Sequence, residues 1–262
     1  MRSSLKQAAK NVLMRYGGCV FTNLWAPKTH IFVAAMPKSG STYLQKLLIE
    51  LTGYSHHDAV QCYGHNEQDI IESELLNFVG VDSVSKQHAK GTSNNLSLMQ
   101  RHGIRPVVQV RNIFDVLISV RDHLASGQNQ VPASYVHVEY GNMTERERLE
   151  YIVRIQLPWY LSFYVSWREA SQIMDVLWLT YQELIEDAAD SLHRISSFYG
   201  LSKTPEQIAG AINRCANRST RLNVGVRGRG AAIPTDLRDE VVRIAATWRL
   251  EDRAFAMLGI DA

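Results

Sequence analysis

The feature that most limits this chain is a junction near its start. Ile31 to Met36 (IFVAAM) is an apolar run with β-branched members, broken at once by Pro37-Lys38-Ser39-Gly40. Such a run suits a strand buried on both faces. From Ser41, Leu44, Leu47, Leu48 and Leu51 fall at helical spacing, and Gly53 is placed to end the helix. The unit recurs: Pro106 to Val110 reads as a strand followed by an amphipathic helix from Asn112 to about Leu124. It recurs again at Val176 to Leu179, with a helix from Glu183 to a stop at Gly200. Strands alternating with helices imply an α/β fold, a three-layer α/β/α arrangement around a central parallel sheet, whose ligands lie beyond the strand C-termini. Thr144-x-x-Glu147 has the form of a capping box opening a long helix toward Ala170, with a kink expected at Pro158. A helix from Pro205 to Ala216, a glycine-rich loop and a last helix from Thr235 to Trp248 complete the pattern. No repeat, charge block or linker divides the chain, so residues 1–262 are expected to form a single domain.

Composition removes several classes of function. Hydrophobic residues at 45% and charged residues at 21% exclude a disordered or low-complexity chain. Lys plus Arg is 28 against 26 for Asp plus Glu, too even a balance for a nucleic-acid coat. Cys19, Cys62 and Cys215 are odd in number and widely spaced, which disfavours a disulfide framework or zinc site and fits a reducing cytoplasm. No apolar run approaches the roughly 18 residues of a transmembrane segment. The first thirty residues, with Arg2, Lys6, Lys10 and Arg15 among apolar residues, read as a helix covering the domain, with an amphipathic surface helix as the alternative. No His, Cys or carboxylate spacing indicates a metal.

The residues that carry chemistry follow the strands. Pro37-Lys38-Ser39-Gly40-Ser41-Thr42 joins a strand to a helix, the geometry that holds a phosphate on backbone N–H groups at a helix start. Lys38 precedes Gly40, so this is not the G-x-x-x-x-G-K-[ST] order, and the segment alone is equally compatible with a tight turn carrying a solvated lysine. Arg111 ends the second strand, and Ser119 lies eight residues on, a little over two helical turns, so both can reach one anion. An Arg111–Asp115 ion pair with a surface serine is the plainer alternative. Asn213 to Ile233 contains Arg214, Arg218, Arg221, Arg227 and Arg229 with Gly225, Gly228 and Gly230 and no acid. It reads as a lid over an anionic ligand, or as a solvated basic loop or weak RNA contact. In Ser83 to His88, an extended stretch puts Lys86 and His88 on one face, where an imidazole could take a proton from a hydroxyl.

Taken in order, these segments resemble a known family. Ile31 to Leu44 resembles the PKSGTTW-type loop of sulfotransferases that use 3'-phosphoadenosine 5'-phosphosulfate (PAPS). Val110-Arg111-Asn112-x-x-Asp115-Val116-x-x-Ser119 resembles their second motif, Lys86-x-His88 their K-x-H, and Leu179 to Leu184 with Ile195-x-x-Phe198-x-Gly200 their Y-E-D-L segment and helix. The order agrees over about residues 31 to 250. The resemblance implies the P-loop NTPase-like sulfotransferase fold. It also implies that Lys38, Ser39, Gly40, Ser41 and Thr42 hold the 5'-phosphosulfate, Lys38 steadying charge on the leaving oxygen. Arg111 and Ser119 would hold the 3'-phosphate, Tyr43 and Tyr181 would lie near the adenine or ribose, His88 would be the base, and Lys86 would assist at the sulfuryl oxygens. The product would be adenosine 3',5'-bisphosphate (PAP), the acceptor a small molecule or glycan hydroxyl, with no nucleic acid and no metal. Two positions depart from the pattern. Tyr43 replaces the usual tryptophan, and aligning Gly225 and Gly228 with R-K-G-x-x-G leaves the motif's arginine to Arg221 or Arg227. Ser55 to Asp82, with Glu67 and Asp69, is the expected acceptor region. The rivals are a P-loop-type kinase, which lacks the glycine–lysine order, and a non-catalytic nucleotide- or RNA-binding module using the basic loop.

Overall fold

The computed structural model describes residues 28–60, 67–78, 80–127, 133–217, 228–250 and 254–260. The basic N-terminal segment, Arg221, Gly225 and Arg227 lie outside them. Five strands among these residues form one sheet: β1 (His30–Ala35), β2 (Ser55–His56), β3 (Ser83–Gln87), β4 (Pro106–Val110) and β5 (Leu177–Thr180). The order is β2-β3-β1-β4-β5, and every pairing is parallel. The chain leaves β1 toward β3 on one side and later returns to β4 on the other, so the reversal of strand order falls at the end of β1. In open parallel sheets that reversal opens a crevice for ligands.

Burial explains why β1 sits in the middle. Ile31 through Met36 are all fully buried, and their alternation feeds two separate apolar cores. Ile31, Val33 and Ala35 face α1 (Ser41–Thr52), with Leu44, Leu47 and Leu48 at helical spacing. α8 (Ala188–Phe198) and α9 (Pro205–Ala216) add Leu192, Ile195 and Ile208 to that core. Phe32, Ala34 and Met36 face the other way, into a core built by α4 (Ile113–Ala125), α6 (Leu157–Ala170) and α10 (Thr235–Ala246). Two cores on opposite faces of one parallel sheet make the three-layer α/β/α fold. The remaining helices are α2 (Glu72–Leu76), α3 (Ser93–Arg101), α5 (Glu145–Tyr151) and α7 (Tyr181–Glu186).

The sequence expectations hold with two adjustments. α1 starts at Ser41 and ends at Gly53, which takes a left-handed conformation (φ 73°) and donates to the Ile49 carbonyl. Thr144 and Glu147 form the reciprocal capping box. The long helix is interrupted before Pro158 rather than at it: residues Ile152–Gln156 form a π-helical turn, and Pro158 sits in the first turn of α6, where its missing N–H costs nothing. The helix expected from Glu183 to Gly200 is two helices, because Asp187 leaves helical dihedrals (φ −144°, ψ 83°) and its side chain caps α8 by accepting from Asp190 N. No helix among the described residues is long and apolar enough to cross a membrane.

At the base of β1, His30 hydrogen-bonds Ser83 Oγ (2.5 Å) and Ser85 Oγ (3.0 Å) and stacks on Phe78 with centroids 4.8 Å apart. Burial, with a smaller contribution from the His57 charge, lowers its pKa from 6.5 to about 4. The unfolded chain therefore takes up a proton as pH falls through 6.5, while the folded chain resists until about 4. This contribution to stability is complete above 6.5 and is lost as pH falls across that window. Urea unfolding followed between these pH values should give a midpoint that drops with acidity, and His30→Asn should flatten the slope; an equally steep slope in the variant would show that His30 does not carry it.

Candidate active site

The C-terminal ends of three adjacent strands, β3, β1 and β4, bring Lys86, Lys38 and Arg111 toward one edge of the sheet. β1 ends in Met36, and Met36 N donates to the Gln109 carbonyl at 2.8 Å, carrying the ladder one step past the strand. Two consecutive reversals then swing the chain into α1. Lys38 takes a left-handed conformation (φ 66°) that a side chain rarely adopts, and Gly40 follows at φ 81°. Gly40 also meets a steric limit, since a Cβ there would lie 2.7 Å from the Tyr181 ring. α1 begins on Gly40 with no side-chain cap of the kind Thr180 or Asn112 supplies to its own helix; Tyr43 N–H turns to the Gly40 carbonyl at 2.9 Å instead. Ser39 is fully buried, and among the described residues its hydroxyl has no hydrogen-bond partner. A loop of this kind, leading into a helix start without a side-chain cap, with an orphan hydroxyl and a glycine only where bulk is barred, fits an anion.

Buried side chains from the neighbouring strands fix the loop. Gln109 of β4 is fully buried and donates to the Ser39 carbonyl at 2.9 Å. Arg111, one residue past β4, donates from Nη1 to the Lys38 carbonyl at 3.1 Å and lays its guanidinium over the Tyr181 ring at 4.1 Å. It approaches Asp115 through Nη2 at 3.8 Å, and both side chains are buried. The i,i+4 pair therefore exists, alongside contacts that aim Arg111 at the loop. On the other side of β1, β3 pairs Val33 with Lys86, which places His88 just beyond the strand. His88 Nδ1 lies 2.7 Å from the Ala35 carbonyl. A carbonyl can only accept, so Nδ1 carries the proton and the basic lone pair belongs to Nε2. Gln68 holds the His88 backbone N–H at 2.8 Å, and Gln87 reaches Ala59 N and the Gln68 carbonyl, fastening the segment around Gln68 to β3.

The electrostatics are those of cations gathered away from water. Burial, then the charge of Arg111, lowers the Lys38 pKa. Burial brings Lys86 down to about 8, against the opposing pull of Asp58. Arg111 is lowered chiefly by burial too. His88 falls to about 3 through burial first, then repulsion from Lys86 and Lys38. Its imidazole is therefore neutral at physiological pH, the form a general base requires.

Sequence-predicted residues divide into three sets. Lys38, Ser39, Gly40, Arg111 and Tyr181 touch one another through the contacts above, and Lys86 and His88 join them electrostatically. Ser41 and Thr42 follow at the start of α1. Ser119 is half-buried on α4, and Tyr43 is half-buried beside Cys215 of α9, its backbone N–H donating to the Gly40 carbonyl at 2.9 Å. Ser119 does share a helix face with Asp115 and Asp122, at spacings of four and three residues. Arg221, Gly225 and Arg227 lie outside the described residues.

Sequence reasoning missed Gln109, Asn112 and the scale of the role of Asp115. Asp115 accepts from Gly230 N through Oδ1 at 2.8 Å and from Gly228 N through Oδ2 at 3.2 Å, and Arg229 pairs with Asp122. Among the described residues, Gly228 and Gly230 of the C-terminal loop are thus seated against α4. The signal in the sequence is the R-N-x-x-D pattern itself, an ion pair by its spacing and part of the second motif by resemblance. Arg111, Asp115, Tyr181, Gly228, Gly230 and Arg238 are among the residues lining a cavity of about 720 Å³ beside this loop.

The chain matches the model of the sulfotransferase domain over residues 28–224. Among solved structures it is similar to mouse sulfotransferase SULT7A1 complexed with PAP, with TM-score 0.65 and 17% identity over 89% of this chain and 88% of that one. It is also similar to retinol dehydratase in complex with androsterone and inactive cofactor PAP (TM-score 0.52, 17% identity, 84% and 71%). A complex of retinol dehydratase with retinol and PAP gives TM-score 0.51 at 18% identity, over 87% and 82%. No curated protein matches the chain at a significant level.

Gly40 tests the packing of this site directly. Gly40→Ala places a side chain on a left-handed residue and against the Tyr181 ring, and it should lower the free energy of unfolding by at least about 1–2 kcal/mol in chemical denaturation. Wild-type stability in the variant would mean that Tyr181 does not pack on the loop.

Proposed function

The chain belongs to the sulfotransferase domain family, and on that premise we propose that it moves a sulfuryl group from PAPS to a hydroxyl of a small molecule or glycan, with His88 as general base and PAP as the product. The observation that carries this reading is the gathering of buried Lys86 and Arg111 with half-buried Lys38 toward the C-terminal edge of the sheet, with the proton-accepting nitrogen of His88 on Nε2. PAPS fits the residues present. The uncapped start of α1, the orphan Ser39 hydroxyl and the desolvated lysine suit one anionic end, and Arg111, held on the adjacent strand, suits a second anion at a distance. When bound, PAPS supplies the activated sulfuryl group.

The roles of this chain's residues follow from their environments. Lys38, Ser39, Gly40, Ser41 and Thr42 bind the 5' end, where Lys38, carried on the loop itself, stabilises charge developing on the departing bridging oxygen. Arg111 and Ser119 bind the 3'-phosphate. Tyr181 presents its ring beside them, and Tyr43 flanks the adenosine. His88 removes the acceptor hydroxyl proton through Nε2; burial keeps its imidazole neutral before the proton arrives. Lys86 offsets negative charge on the sulfuryl oxygens, and its pKa of about 8 leaves most of the population cationic at pH 7. Positioning and fixed charge supply most of the acceleration in transfers of this type. Residues 1–262 act as one domain in this reading, supported by the span of the structural similarity to mouse SULT7A1. A small apolar acceptor is supported by the retinol and androsterone held by two neighbours, and a reducing, cytoplasmic setting by Cys215, a thiol buried in an apolar core.

Three measurements test the assignment. PAP should raise the melting temperature while ATP with magnesium does not; the opposite order would favour a kinase, and stabilisation by RNA alone a binding module. His88→Ala should reduce turnover by at least about 10²-fold and leave PAP affinity close to wild type, since a histidine base typically contributes 10²–10⁴-fold; normal turnover would remove His88 from the mechanism. Arg111→Ala or Ser119→Ala should weaken PAP by roughly 1.5–3 kcal/mol, the scale of a charge-assisted hydrogen bond, with far less effect on adenosine 5'-monophosphate (AMP); equal losses on both ligands would contradict the assignment.

A further inference from the structure

We propose that Asp115 is a positioning residue for the nucleotide's 3'-phosphate, a buried latch that sets the Gly228–Gly230 turn and the Arg111 guanidinium in one fixed relation; the inference rests on the sulfotransfer reading above. The carboxylate is shared between two parts of the chain more than a hundred residues apart. Oδ1 accepts from Gly230 N at 2.8 Å, Oδ2 accepts from Gly228 N at 3.2 Å, and Oδ2 also lies 3.8 Å from Arg111 Nη2. Asp115 is buried, so each of these partners replaces water that the carboxylate has lost.

The turn is shaped to receive it. A Cβ on Gly230 would lie 2.4 Å from Phe114 Cβ, so only glycine brings this backbone close enough for its N–H to reach Asp115. Arg238 donates to the Gly230 carbonyl at 3.0 Å while stacking on the Phe114 ring at 4.1 Å, and Arg229 pairs with Asp122 on the same face of α4. That face also carries Ser119, between the two acids. The turn is thus tied down at both ends of the stripe that holds Ser119, and the tie closest to Arg111 is Asp115.

Two accounts of this carboxylate predict opposite signs. A carboxylate that merely stands near an anion site opposes a phosphate by Coulomb repulsion, and its removal would tighten binding. A latch does the reverse, because losing it frees the turn and lets Arg111 reorient. Asp115→Asn keeps the size and one carbonyl oxygen but removes the charge.

Calorimetric titration of wild type and variant with PAP and with AMP separates them. The latch predicts at least about tenfold weaker PAP binding in Asp115→Asn and AMP binding within about twofold of wild type, the range expected for one lost charge-assisted contact. Gly230→Ala keeps the carboxylate and moves the turn, and it should cause the same selective loss. Unchanged or tighter PAP binding in Asp115→Asn, or equal losses for PAP and AMP in either variant, overturns the latch while the sulfotransfer reading stands. Failure of the wild-type protein to bind PAP overturns both.

Discussion

The structure depends on concentrating positive charge where a parallel sheet can least solvate it. Lys38, Lys86 and Arg111 stand on three adjacent segments at the C-terminal edge of β3, β1 and β4, and burial lowers the pKa of each. Side chains of one sign do not collect at such a place for stability, since they repel one another and lose hydration. The surrounding fold resists this with rigid neutral braces. Gln87 and Gln109, both fully buried in central strands, hold the loops through hydrogen bonds, and the Tyr181 ring lies beneath Arg111. Asp115 beside Arg111 and Asp58 near Lys86 offset part of this charge, and an anionic ligand would offset more.

The same crowding prepares the base. His88 is neutral because Lys86 and Lys38 add to the effect of burial, and its tautomer is set because Nδ1 faces a carbonyl of β1. The two determinants come from different strands, so the proton-accepting nitrogen is defined by the sheet rather than by a flexible loop. Arrival of a polyanion beside the two lysines would relieve part of the repulsion and raise the basicity of His88 at the moment a proton must be taken.

Much of this was legible in the residues. The β1 run, the start of α1 at Ser41, its stop at Gly53 and the limits of β4 follow from local chemistry: β-branched apolar runs, a glycine able to turn left-handed, a proline at a strand start. The closeness of Lys86 to His88 follows from their spacing at the end of β3. What could not be read depends on tertiary contacts. Nothing local says that Asp115 binds two glycine N–H groups from the C-terminal loop, or that Tyr181 occupies the space that makes Gly40 obligatory. The division of the Glu183–Gly200 segment arises because Asp187 caps the second helix, a choice that periodicity does not reveal.

The central claim is that one nucleotide with two separated anionic groups spans β1 and β4, with His88 at its reactive end. A crystal structure with PAP soaked in tests it most directly. The account predicts the 5'-phosphate on the Lys38 to Thr42 backbone, the 3'-phosphate within hydrogen-bond reach of Arg111, and His88 Nε2 facing the 5' end. A nucleotide seated elsewhere, or one whose 5'-phosphate lies on the Arg111 side, would contradict it.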